Sequence, residues 1–199
     1  MLTSDQNRKI NEIVEEFKEA ADFYRMEYSE DLMGMFRDFG CMLLLKCKVD
    51  TEGKADLERL LEGRHKLKGT VKRQLMTVSE ELAQLWAPGE QDESGDTGEY
   101  EGSQNVREMF QTALEEIFHF CLYSKGGKNR YLLPEETAKP LLRLLTFPEG
   151  MMAGNEGLVV LDTQCGAGSA LMAASRYLKN PRLMGYEKDE EMWAAAVIM

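Results

Sequence analysis

Two carboxylates, Asp162 and Glu187, bracket a pair of closely spaced glycines, Gly166 and Gly168. Glycine lets a backbone turn sharply at positive φ, and it removes the Cβ that would collide with a ligand. A carboxylate beyond such a turn accepts hydrogen bonds from sugar hydroxyls. Together these residues have the chemistry of a pocket for an adenosine-containing cofactor. The elements that must position them follow from the flanking pattern. Residues 158–161 are a short apolar run opened by Gly157, the pattern of a strand buried on both faces of a parallel sheet. Asp162 then falls at the strand's carboxyl end, where open α/β sheets hold their ligands. Ser169 is placed to cap a helix whose sheet side carries Leu171, Met172, Ala174, Ser175 and Leu178. Asn180-Pro181 ends it. Residues 183–186 form a second strand, and Glu187 lands at its tip, about 20 residues beyond the turn.

The dinucleotide fingerprint is G-x-G-x-x-G, whereas residues 166–171 run G-A-G-S-A-L, which argues against NAD or FAD. The string D-x-x-C-G-A-G, residues 162–168, resembles the first motif of S-adenosylmethionine-dependent methyltransferases. More narrowly, it resembles the adenine-specific DNA methyltransferases, including the modification subunits of type I restriction systems, which carry a D-P-A-C-G-S-G-like string. Two further segments resemble that family in the same order. Y-L-L-P-E-E-T-A at 131–138, followed by Leu141, Leu142, Leu144 and Leu145, is similar to an upstream motif of an aromatic residue, T-P-x-x-V-A and a leucine-rich helix. G-Y-E-K-D at 185–189, followed by Ala194, Ala195 and Ala196, is the third. The resemblance covers roughly the last third of the chain. It implies an S-adenosylmethionine site in which the loop with Asp162, Cys165, Gly166 and Gly168 surrounds the methionine end. Glu187 would bind the ribose, and the segment from Tyr131 to Pro134 would close over the cofactor.

The chain departs from that pattern in places. Thr163 and Gln164 replace the usual proline and alanine, Ala167 replaces a common serine, and Leu133 stands where threonine is usual. Pro140 falls inside the expected leucine-rich helix and should kink it. The family's catalytic N-P-P-Y-type loop, whose asparagine side chain and proline carbonyl hold the amine of a flipped-out adenine, does not occur in the sequence. Methyl transfer needs donor and acceptor in line at contact distance, and these residues supply only the donor side. The expectation is therefore the N-terminal part of an adenine-specific DNA methyltransferase, or a decayed one, inactive as this segment. DNA would be reached through the full-length protein or other subunits. The alternatives are a non-catalytic helical protein-interaction module with a vestigial methyltransferase tail, and a small-molecule or protein methyltransferase.

The 199 residues suffice for one sizeable domain or two small ones. The expected architecture is a mainly α helical domain over 1–125, then the start of an α/β Rossmann-like methyltransferase fold over 126–199. A helical domain ahead of the cofactor fold also fits the resemblance. Ile10, Ile13, Val14, Phe17, Ala20, Ala21, Tyr24 and Tyr28 mark one amphipathic helix, with Ser4 or Asp5 as its cap. Leu32, Phe36, Phe39 and Leu43, flanked by Met33, Met35, Met42 and Leu44, mark a helix apolar enough to be buried in a bundle or against a partner, capped by Ser29. A heptad-like seam runs through Leu57, Leu60, Leu67, Val71, Leu75, Val78, Leu82 and Leu85. It is either an assembly surface for a protein partner or an intramolecular core, and Gly63 and Gly69 favour the core. Residues 87–103 are acidic and rich in Gly and Ser, the composition of a linker. Val106 to Cys121 carry another helical stripe, with His119 expected in the core or at an interface.

The net charge of −11 repels a phosphate backbone unless basic residues are segregated. Arg64, His65, Lys66, Lys68, Lys72 and Arg73 are the one candidate patch, with a solvated helix face as the other reading. Cys41, Cys47, Cys121 and Cys165 lack C-x-x-C spacing and read as reduced, buried thiols rather than metal ligands. No stretch is long and apolar enough for a membrane span, and the N-terminus lacks a signal-peptide core, so a cytoplasmic location is the default expectation.

Overall fold

The computed structural model describes residues 2–28, 31–50, 52, 54–62, 67–86, 99–124, 137, 140, 158–178 and 180–199. The chain divides into two compact units, Met1–Lys128 and Asn129–Met199. Among the described residues it is mainly helical, with seven helices and one small parallel sheet of two strands. No described helix is long and apolar enough to cross a membrane.

In the first unit, α1 (Ser4–Glu27) starts one residue earlier than its expected caps allow. Thr3 is the N-cap. Its hydroxyl accepts from the Gln6 N–H at 3.3 Å while the Gln6 side chain accepts from the Thr3 N–H at 2.7 Å, a reciprocal capping box. The stripe from Ile10 to Tyr24 is buried as its spacing requires. Tyr28 is exposed, yet its ring stacks on Tyr24 at 5.1 Å and its hydroxyl accepts from the Lys68 N–H. The next helix is α2 (Met33–Lys46); Ser29, expected as its cap, lies outside the described residues. The N-cap of α2 is Leu32, and the Asp31 carboxylate accepts from the Met33 N–H at 3.0 Å.

The heptad-like seam does not form one helix. It is shared between α3 (Ala55–Glu62) and α4 (Gly69–Trp86), and Gly69 takes φ +62° at the start of α4. Leu60, Leu67, Val71, Leu75, Val78, Leu82 and Leu85 are all buried, so the seam is an intramolecular core. The helix α5 (Glu99–Leu122) begins inside the stretch expected to be linker, whose last five residues are helical. Glutamate is a good helix former, and acidic residues suit a helix N-terminus, which outweighs the local Gly and Ser content. His119 is exposed on α5 rather than in the core. Its neighbours Ile117, Phe118 and Cys121 take the buried positions.

α4 packs on α1, α2 and α5, and α1 on α5. Aromatic rings tie the bundle together: Phe17 of α1 meets Phe39 of α2 edge-on at 5.0 Å, and Phe36 meets Phe118 of α5 at 5.1 Å. Such pairs add to the area term that dominates the core.

In the second unit, β1 (Val159–Asp162) leads through a glycine loop to α6 (Ser169–Tyr177), then to β2 (Arg182–Gly185), parallel to β1 and in register Asp162 opposite Gly185. The last helix is α7 (Glu190–Ile198). The expectation that β1 is buried on both faces does not hold: Val159 is 57% and Leu161 54% exposed. A parallel sheet needs cover on both faces. α6 packs against β1 and β2, yet all four residues of β2 are exposed, so this cover is partial. Further strands of a Rossmann-like sheet are not among the described residues.

Candidate functional site

Asp162 ends β1 at the sheet's carboxyl edge. Its carboxylate accepts from the Gln164 N–H at 3.0 Å, which turns the chain away from the strand. Its carbonyl accepts from the Tyr186 N–H at 2.9 Å, and the Tyr186 carbonyl accepts from the Cys165 N–H at 3.0 Å. The loop is thus stitched to the chain just beyond β2.

Gly166 and Gly168 have φ +55° and +82°, left-handed values that an L side chain adopts at a cost. Their surroundings differ. A Cβ on Gly166 would meet only Met192 Cε at 3.8 Å, whereas one on Gly168 would lie 3.4 Å from the Ala196 Cβ and 3.6 Å from its Cα. Gly168 therefore serves both the turn and the close approach of α7. It is also the N-cap of α6, with no side-chain cap. Ser169, expected as that cap, is the first helical residue, and its hydroxyl plays no capping part because the turn geometry requires glycine at the cap position itself.

Glu187 closes the arrangement. One carboxylate oxygen accepts from the Gly166 N–H at 3.0 Å and the other from the Asp189 N–H at 2.8 Å. Asp189 in turn caps α7 by accepting from the N–H groups of Glu191 and Met192. A carboxylate has about four lone-pair positions, so after two backbone bonds each oxygen of Glu187 keeps capacity for another donor. The structure therefore gives this residue a task the sequence did not reveal: it fastens the glycine loop to the start of α7.

No family model, curated protein or solved structure matches the chain.

The electrostatics of the loop are recorded by a thiol. Cys165 is half-buried between the two carboxylates, and burial first, then Asp162 and Glu187, pushes its pKa above the usual thiol value. Two carboxylates thus lie at the loop beside the α6 N-terminus, the place where dinucleotide folds seat a pyrophosphate. Such a loop disfavours phosphate and suits a neutral or cationic ligand with hydroxyl donors. The spare acceptor capacity of Glu187 and the carboxylate of Asp162 are what this loop offers to such a ligand. Of the residues the sequence points to, Asp162, Cys165, Gly166, Gly168 and Glu187 converge on one loop. Tyr131 and Pro134 lie outside the described residues. Sequence reasoning gave no role to Asp189, although an acid two residues before Glu191 at a helix start is a capping signal. It also gave none to Gly185, against which Cys165 and Leu171 both pack.

Proposed function

We propose that the second unit is the cofactor-binding, donor-side part of an S-adenosylmethionine-dependent methyltransferase of the adenine-specific DNA type, with a Rossmann-like arrangement of β1, α6 and β2. The observation that carries the reading is the convergence of Asp162 and Glu187 on a loop turned by two left-handed glycines. Bound there, the cofactor would supply an electrophilic methyl on a sulfonium centre. The chain's own contribution is to orient it. The Glu187 carboxylate, anchored by two N–H groups, would accept from ribose hydroxyls, the Asp162 carboxylate at the strand end would favour the cationic centre, and Gly166 and Gly168 carry no side chain to block the approach. DNA would be presented by other domains or subunits, in keeping with the net charge of −11.

Isothermal titration with S-adenosylmethionine tests the reading, with NAD as the comparison ligand. Binding of the first and not the second is expected, and an absence of heat at millimolar S-adenosylmethionine rejects it. A second reading, a helical interaction module whose methyltransferase-like tail is vestigial, is favoured by one observation: the sequence holds no N-P-P-Y-type string. Both readings predict no methyl transfer to adenine-containing DNA by this chain alone, and cofactor binding separates them.

A further inference from the structure

Gly185, the last residue of β2, is not in the left-handed region, so its backbone alone does not demand glycine. Its surroundings do. A Cβ there would lie 2.8 Å from Cys165 Sγ, 2.9 Å from Leu171 Cδ1 and 3.1 Å from Cys165 Cβ. The two closer atoms end rotatable side chains. The Cys165 Cβ does not: it moves only with the loop backbone.

In the dinucleotide fingerprint the third glycine lies on the helix and lets it approach the strand closely. The equivalent helix position here is Leu171. We propose that this chain has exchanged the two sides of that contact. Leu171 supplies the bulk from α6, Gly185 supplies the space on β2, and Gly185 is thereby the positioning residue that seats the Cys165–Gly166 loop against Glu187. Three successive residues then hold the loop, each in its own way. Gly185 leaves room for Cys165, the Tyr186 carbonyl accepts from the Cys165 N–H at 3.0 Å, and the Glu187 carboxylate accepts from the Gly166 N–H at 3.0 Å. A methyl group at Gly185 lifts Cys165 off the strand and draws the Gly166 N–H away from its acceptor. The exchange concerns how the loop is seated, so it stands or falls apart from the cofactor reading.

The experiment is amide hydrogen exchange by NMR on the full chain without ligand. In Gly185→Ala the Gly166 amide should lose about tenfold in protection, the equivalent of one hydrogen bond. Arg182, whose N–H donates to the Leu158 carbonyl at the far end of β2, should keep its own, which separates loop seating from general weakening of the unit. Adding Cys165→Gly, which removes the Cβ, and Leu171→Ala should restore most of the Gly166 protection. If Gly185→Ala unfolds the second unit outright, refolding of the triple variant supports the exchange and persistent unfolding overturns it. An unmoved Gly166 amide in Gly185→Ala, or a loss that the triple variant leaves unrepaired, also overturns it.

Discussion

Cys165 offers a direct probe of the loop. Neutralising Asp162 as Asp162→Asn keeps an oxygen for the Gln164 N–H and removes one of the charges that raise the thiol. The thiolate fraction at pH 8 should rise, and iodoacetamide should label Cys165 several-fold faster. Cys47, pushed up to about 11 by burial, holds little thiolate at that pH, and Cys41 and Cys121 are buried away from the reagent, which leaves the signal clean. An unchanged rate would mean that the carboxylates do not set the field. Gly168→Ala should destabilise the second unit by ~1–2 kcal/mol from its left-handed φ alone, read from denaturant melts of that unit's signals. Glu16 makes a different prediction. Burial first, then Glu81, Glu19 and Glu12, raise its pKa above the ordinary 4.5. A carboxyl with a raised folded pKa destabilises when ionised, so protonation favours the fold as pH falls through that pKa. Glu16→Gln should therefore stabilise the protein at pH 7, less so at high salt, and the gain should vanish below about pH 4.5. The acids and glycines of the site were legible as letters because turn and strand tip have distinctive residue types. The partner each one chose was not: Glu187 is found clasping two backbone N–H groups, which no one-dimensional spacing dictates.

At the scale of elements, apolar periodicity carried most of the information. The stripes of α1 and α4 are buried where the 3.6-residue repeat puts them, because that face meets the rest of the bundle, whereas α2 is buried all round from Met35 to Cys41. Phe39→Ala, which removes the fully buried ring that meets Phe17, should cost ~3–5 kcal/mol in urea unfolding. A loss below 1 kcal/mol would show that the site collapses freely. Helix ends were less legible, since several polar residues compete at each one. Thr3 rather than Ser4 or Asp5 caps α1 because Gln6 reaches back to it. Asp189→Ala removes an acceptor from two N–H groups and should lower the second unit's stability by ~1 kcal/mol.

For the molecule as a whole, the two units should differ in resistance to opening. The first is built on large, fully buried side chains such as Phe17, Phe36, Phe39 and Phe118, while the strands of the second leave Val159, Leu161 and Met184 exposed. Backbone hydrogen bonds near solvent open more readily than those in a core. Hydrogen exchange should therefore be faster throughout β1 and β2 than in α1, α4 and the second half of α5, and equal rates would contradict this ranking. What the sequence determined by itself is local: helices where apolar residues recur on one face, a strand–turn–helix–strand order, and glycines and acids at the turn and the strand tip. These follow from rules that act within a few residues. The tertiary structure alone decided that the leucine seam closes inward, that the described strands are only partly covered, that Gly185 makes room for Cys165 and Leu171, and that Glu187 grips the loop. Each of these depends on atoms far apart along the chain meeting at van der Waals or hydrogen-bond distance, and the pattern of letters does not encode such distances.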